Sequence, residues 1–142
     1  MTKTKELPVG EISSGTFDPV DVAERLFDYA REFLTREQAF ALGYVAGGGG
    51  SLEEVFDVID ELQQYGPPYC WIGAHEGDGA LLGVWPIMEA VGNDVRTGEL
   101  PSSDEPPERL APGELHLQVN DHGNATLWRG ADEGNEIVWE IV

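Results

Sequence analysis

Two turn-like segments of the chain bring histidine and aspartate together. His75 is followed by Asp78 in one segment, and Asp121 adjoins His122 in the other. A histidine with a carboxylate partner can act as a general base, and two histidines with two aspartates can hold a metal ion. Such residues in glycine-rich turns more often bond the local backbone. A small metal-dependent enzyme or metal-binding module at these four residues is therefore one alternative function.

The usual catalytic and cofactor motifs do not occur in the sequence. It contains no Gly-x-Ser-x-Gly elbow, phosphate-binding loop or His-Glu-x-x-His pair. The single cysteine, Cys70, rules out an internal disulfide and lies in a predicted strand, where we expect it to be buried and unreactive. We therefore expect a protein that is not an enzyme and that needs no cofactor.

A one-sided distribution of carboxylates points to a different function. Between Arg36 and Arg96 there are ten acidic residues and no Lys or Arg. Four of these acids recur at i, i+4, i+7 and i+8 and so form one stripe on a predicted helix. We expect the following residues to bind a partner, the helix stripe being the strongest: Glu53, Glu54, Asp57, Asp60, Glu61, Glu76, Asp78 and Glu89.

The overall charge limits what that partner can be. The 142 residues include 27 acids and 8 Lys or Arg, which gives a net charge of −19. Direct binding to nucleic acid or to an anionic membrane needs clustered bases, which this chain lacks. The N-terminus has no apolar run of the kind found in signal peptides. We expect a cytoplasmic protein that binds a basic protein or nucleoprotein complex.

Three helices are predicted in the first half of the chain. Asp18-Pro19 is a typical helix start, and apolar residues at helical spacing extend this helix over residues 19–34. A capping box at Thr35 begins a short second helix, which ends before four consecutive glycines. Another capping box at Ser51 begins a third helix over residues 52–65. Residues 1–17 are polar and predict a flexible arm.

The second half of the chain changes to strand periodicity. Two apolar runs around Asp78-Gly79 predict a β-hairpin, and alternating residues from Leu115 onward predict a three-stranded meander. Residues 98–113 are rich in proline and predict an exposed loop. The pattern predicts one α+β domain over residues 18–142, with two or three helices packed on an antiparallel sheet of about five strands.

Aromatic residues offer a further indication of binding. Five of them lie on predicted strands: Tyr69, Trp71, Trp85, Trp128 and Trp139. Most are expected in the core, but one or two that are exposed near acids would suit a basic partner. An arginine can pair with the acid and stack on the ring.

Two strings in the C-terminal half carry a resemblance. His75–Ala80 with Gly83–Pro86 downstream, and Val119–Trp128 before the final strand, resemble a pattern in small phage- and plasmid-encoded acidic proteins. By charge, size and lack of catalytic motifs the chain also resembles acidic decoys that mobile elements use against restriction or CRISPR systems. This resemblance implies a non-enzymatic inhibitor that occupies the nucleic-acid groove of a host nuclease complex.

Other functions fit the same charge. An immunity or antitoxin protein that masks a basic toxin would use the same physics with a different partner. A solvated surface is the usual reason for a charged helix face, and scarce lysine also suits a protein that works in high salt. We favour binding because surfaces that serve solubility alone normally mix both signs of charge.

Overall fold

The protein is described here by a computed structural model that covers residues 6–75 and 77–141. The described residues form four α-helices, two short 3₁₀ turns and seven strands. The chain divides into two compact units, and the boundary along the sequence falls between Pro86 and Ile87. The predicted α+β class is confirmed, whereas the prediction of one domain over residues 18–142 stays a prediction.

The first unit contains three helices whose starts follow the predicted caps. Helix α1 spans Pro19–Ala30, α2 spans Arg36–Ala46 and α3 spans Leu52–Leu62, and 3₁₀ turns extend α1 and α3 by three residues each. Asp18 caps α1, and both predicted capping boxes are formed, at Thr35 and at Ser51. Capping residues satisfy backbone N–H groups that a helix leaves unpaired, which is why the sequence locates these starts well.

A three-stranded antiparallel sheet completes this unit. Strand β1 spans Gly10–Ser13, β2 spans Cys70–His75 and β3 spans Asp78–Pro86, in the order β1–β3–β2. The pairing of β2 with β3 confirms the predicted hairpin. The prediction of a flexible arm over residues 1–17 is wrong for residues 7–13, because β1 pairs with β3 and Leu7 is fully buried, and residues 1–5 lie outside the described residues.

The core of the first unit lies between the helices and one face of this sheet. It is built from aliphatic side chains of α1, α2, α3 and the strands, among them Leu26, Leu42, Val55, Leu62, Ile72 and Val84. The apolar side chain of Phe56 on α3 is 48% exposed, whereas that of Val58 is buried. At 100° per residue, Phe56 lies about 100° away from the line through Val55 and Leu62.

The second unit has its own sheet. Helix α4 spans Met88–Thr97, and strands β4 (Ser102–Ser103), β5 (Leu115–Val119), β6 (Ala125–Ala131) and β7 (Gly134–Ile141) follow in that order across the sheet. The predicted meander is therefore present as β5–β6–β7. The hairpin and the meander lie in two separate sheets, which differs from the single sheet of about five strands that the sequence predicts.

The segment 98–113 is an exposed connection, as predicted, that is held at two points. Leu100 and Leu110 are buried, while most of the residues between them are exposed. The short strand β4 pairs in parallel with β5. Within the part of the chain that the structure describes, no helix is both long and apolar enough to cross a bilayer.

Candidate functional site

The acidic face of α3, defined here as Glu53, Glu54, Asp57, Asp60 and Glu61, is the main candidate site. All five side chains are exposed. The opposite face of the helix is held in the core by Val55, Val58, Ile59 and Leu62. The helical period therefore fixes which side of α3 is turned outward, and the predicted stripe of carboxylates is on that side.

No base within residues 6–75 and 77–141 pairs with the acidic face. Among the described residues, none of its five carboxylates forms an ion pair. The nearest base along the chain is Arg36, in the first turn of α2. Neighbouring carboxylates at i, i+3 and i+4 repel one another, and this repulsion lowers helix stability by about 0.2–0.5 kcal/mol per pair.

Two members of the acidic face also have structural contacts. The Glu54 carboxylate accepts hydrogen bonds from the backbone N–H and the hydroxyl of Ser51, both at 2.7 Å. These bonds lower the pKa of Glu54, the hydroxyl of Ser51 having the largest effect. The Glu61 carboxylate accepts a hydrogen bond of 2.5 Å from the buried side-chain amide of Gln38 on α2.

A groove between α2 and α3 widens this surface. It encloses about 170 Å³ and is lined by four carboxylate residues and four others, namely Glu37, Glu54, Asp57, Glu61, Thr35, Gln38, Ala41 and Val58. Glu37 was not among the predicted site residues, because its place beside α3 depends on how the two helices pack. The groove adds a concave, negatively charged element to an otherwise convex helix face.

Exposed aromatic rings occur on both helices of this site. Phe40 and Tyr44 on α2 are 77% and 56% exposed, and Phe56 on α3 is 48% exposed. Phe40 and Tyr44 are four residues apart, and this spacing in the sequence indicates that the two rings share one face of α2. Rings of this kind beside carboxylates can stack on arginine side chains.

The other predicted site residues do not all join this surface. Asp78 is exposed at the start of β3, where its carboxylate accepts a hydrogen bond from the Ala80 backbone N–H at 3.0 Å. Glu89 lies in the first turn of α4 and belongs to the second compact unit. Glu76 falls outside the described residues. Within the first unit, the α3 carboxylates are the predicted site residues that share one described surface.

The residues of the alternative metal site act as turn residues. The His75 ring accepts a hydrogen bond from the Gly77 backbone N–H at 3.0 Å through Nδ1. His122 and Asp121 lie in the turn between β5 and β6, which is in the other unit, and the His122 backbone N–H donates to the Asn120 side chain. Over residues 6–75 and 77–141, no three His, Cys, Asp or Glu side chains are grouped as metal ligands.

A serine and a histidine lie close together in the second unit. The Ser103 hydroxyl is 2.7 Å from Nε2 of His116, the geometry expected of a nucleophile and its base. The same hydroxyl donates its only proton to the Glu105 carbonyl at 2.8 Å. The histidine must then be the donor in their bond, so this contact does not activate the serine.

Cys70 has the environment of an unreactive thiol. Burial, assisted by the charge of Glu6, raises its pKa to about 12. Burial also raises the pKa of Tyr29 to about 12, with a further contribution from Cys70. A thiol with this pKa is protonated at neutral pH and is a poor nucleophile, although Cys70 is half-buried and not fully buried as predicted.

Comparisons with known proteins add no functional assignment. No protein-family model, curated protein or solved structure matches this chain.

Proposed function

We propose that this protein is a non-enzymatic inhibitor that binds a basic, nucleic-acid-binding partner through the acidic face of α3. The observation that carries the proposal is the row of five exposed carboxylates, none of which pairs with a base among the described residues. Apart from the bonds that Glu54 accepts from Ser51 and Glu61 accepts from Gln38, these carboxylates repel one another, and this repulsion lowers helix stability. A cationic surface would relieve that repulsion on binding.

The spacing of the carboxylates suits a groove that normally holds nucleic acid. From Glu53 to Asp57 the helix rises about 6 Å, and from Asp57 to Asp60 about 4.5 Å, at about 1.5 Å per residue. Phosphates of one DNA strand follow at about 3.4 Å along the duplex axis. A straight row of negative charge on this scale can enter the same basic groove and compete for it.

Two further features of the surface support the proposal, one through the rate of association and the other through specificity. The net charge of −19 would steer a basic partner toward the protein and make association fast and sensitive to salt. The groove beside Gln38 and the exposed rings of Phe40, Tyr44 and Phe56 would provide contacts of defined shape. Anti-restriction and anti-CRISPR decoys of mobile elements, which act in the cytoplasm, are the class of inhibitor that this proposal fits.

Two variants of equal charge separate the acidic face from net charge. The α3 variant carries Glu53→Lys, Asp57→Lys and Asp60→Lys and leaves Glu54 and Glu61, which have structural contacts, unchanged. The loop variant carries Asp104→Lys, Glu105→Lys and Glu108→Lys, three exposed residues of the segment 98–113. Both change the net charge by the same amount.

The experiment captures the partner and then measures competition. The wild-type protein, immobilised, is exposed to a host lysate and eluted with increasing salt, and the retained protein is purified and loaded with labelled duplex DNA or RNA. We expect free wild-type protein and the loop variant to displace the nucleic acid, and the α3 variant to fail. A partner that keeps its nucleic acid when the wild type binds, or equal displacement by all three proteins, would overturn the proposal.

A further inference from the structure

Two tryptophans and two glycines form matching pairs on the outer face of the β1–β3–β2 sheet. Trp71 pairs with Trp85 across β2 and β3, and Gly73 pairs with Gly83 in the next row of the same face. The residues between them, such as Ile72, point to the opposite face and are buried in the core. Trp71 is 39% exposed and Trp85 is partly exposed.

Each indole ring covers the glycine two positions away on its own strand. A Cβ atom on Gly73 would lie 2.3 Å from Cζ3 of Trp71, and one on Gly83 would lie 2.5 Å from Cζ2 of Trp85. Only glycine leaves room for a ring at these distances. One side of each ring therefore lies against the sheet backbone, and the two rings cover neighbouring glycines on strands about 4.8 Å apart.

Further contacts hold Trp85 in this orientation. Its indole N–H donates a hydrogen bond of 3.0 Å to the Gly73 carbonyl on the neighbouring strand. The His75 ring meets it edge to face, with ring centres 5.1 Å apart and planes at 89°. An aromatic surface that is fixed in advance loses little conformational entropy when a ligand stacks on it.

A carboxylate lies in the same row of this face. Glu11 on β1 pairs with Gly83 from the side opposite to Gly73, and its side chain is exposed while those of Ile12 and Ser13 are buried. In this register the Glu11 side chain leaves the sheet on the face that carries the Trp85 ring. The row therefore offers an acid next to two flat aromatic surfaces.

We propose that this face, consisting of Glu11, Trp71 and Trp85, binds the guanidinium group of an arginine side chain. A guanidinium is planar and weakly hydrated, so it stacks on an indole while its N–H groups pair with a carboxylate. The net charge of −19 favours a cationic occupant and opposes a phosphate-bearing base, which could also stack. The inference rests on the proposed function, since it adds an arginine-binding surface for the same basic partner.

The test uses three acetylated and amidated tetrapeptides as probes: tetra-arginine, tetra-lysine and the uncharged tetra-citrulline. Each is titrated into ¹⁵N-labelled wild-type protein at low salt while the indole N–H signals are followed. We expect tetra-arginine to shift the signals of Trp71 and Trp85, with Trp128 and Trp139 as internal references. We expect it to bind at least about threefold more tightly than tetra-lysine, as stacking on an exposed ring implies.

Variants assign the arginine preference to this face. Trp71→Leu should remove most of the preference for tetra-arginine over tetra-lysine. Glu11→Gln, which keeps both rings, should do the same. Phe17→Leu, a change at a ring that is 64% exposed outside the sheet, should leave it intact. Because Glu11→Gln is a small change at an exposed position, it keeps the test valid if Trp71→Leu does not fold.

The outcomes separate this inference from the proposed function. The α3 variant should bind both charged peptides more weakly yet retain the arginine preference. Equal binding of arginine and lysine peptides by the wild type, or no shift of the Trp71 and Trp85 signals, would overturn the arginine site and leave the α3 proposal standing. If the wild type bound none of the peptides at low salt, that result would count against both the arginine site and the α3 proposal. If tetra-citrulline shifted the signals as much as tetra-arginine does, the arginine site would be overturned, because the rings would then stack without selecting charge.

Discussion

The acidic face of α3 and the strand pair β6–β7 both carry acidic residues, but only the strand pair has a base paired with a carboxylate among the described residues. On β7 the Glu136 carboxylate accepts a hydrogen bond of 2.8 Å from Arg129 on β6, and both side chains are largely covered. On α3 no carboxylate has such a partner among the described residues. The first arrangement stabilises the sheet, whereas the second is unfavourable for its own helix.

The difference indicates what each set of acids is for. A carboxylate that pairs with a neighbouring strand contributes to the fold, and its loss should be measured as lost stability. The α3 acids lie on a helix that its apolar face and its Ser51 cap hold in place. Their removal should therefore change binding far more than stability, and the following substitutions sharpen this contrast.

The largest stability effect should come from the buried face of α3. We expect Leu62→Ala to lower the free energy of unfolding by about 2–5 kcal/mol, because it opens a cavity at a fully buried position. Phe56→Ala, on the exposed side of the same helix, should cost less than about 1 kcal/mol. Urea denaturation measures both, and equal losses would mean that α3 is not anchored as described.

Loss of the N-terminal cap of α3 should have the second-largest effect on stability. Ser51→Ala removes the hydroxyl partner of Glu54 and should cost about 1 kcal/mol. It should also raise the pKa of Glu54, which that hydroxyl lowers. The stabilisation by this cap is present above the ordinary carboxyl pKa and is lost as the pH falls through the lowered value. NMR titration of Glu54 checks the shift, with Ser102→Ala as a control, and an unchanged pKa would contradict the assignment.

Breaking the ion pair on β6–β7 should lower stability by as much as the loss of the α3 cap, or by less. We expect Arg129→Gln to lower stability by about 1 kcal/mol, since the pair is mostly covered. Arg31→Gln, which breaks an exposed pair with Asp28 at 3.2 Å, should have an effect of about 0.5 kcal/mol or less. Equal losses of stability for Arg129→Gln and Arg31→Gln in urea denaturation would contradict the stabilising role of the covered pair.

Removing one charge from the acidic face of α3 should have the smallest effect on stability, and this effect should be an increase. Asp57 has like charges at Glu53, Asp60 and Glu61 on the same helix face. We expect Asp57→Asn to raise stability by a few tenths of a kcal/mol at low salt and to have no effect in about 1 M salt, where charges are screened. A clear loss of stability at low salt would mean that Asp57 has a structural role that the packing does not reveal.

Local signals in the sequence predicted much of the first unit. The caps at Asp18, Thr35 and Ser51 define helix starts through bonds within four residues, so a sequence alone contains them. Strand β1 was missed because it is four residues long and its partner Val84 is more than seventy positions away. The separation into two sheets depends on similar long-range pairing, which no local pattern encodes.

Periodicity also failed where a strand is irregular. The alternation of Ile137 and Trp139 predicts one shared face, but a bulge between their partners on β6 leaves Ile137 52% exposed and Trp139 buried. The same limit applies to the candidate site. Exposure of the α3 carboxylates follows from the helical period, whereas the groove with α2 depends on the contact between Gln38 and Glu61, twenty-three residues apart.

The most direct test of the central claim is the dissociation constant of the captured partner for three proteins at one fixed salt concentration: wild type, the α3 variant and the loop variant. If the acidic face is the docking surface, the α3 variant should bind at least about tenfold more weakly, while the loop variant stays within about threefold of the wild type. Equal weakening of both variants would show that net charge alone governs binding, and unchanged affinity of the α3 variant would exclude its acidic face as the site.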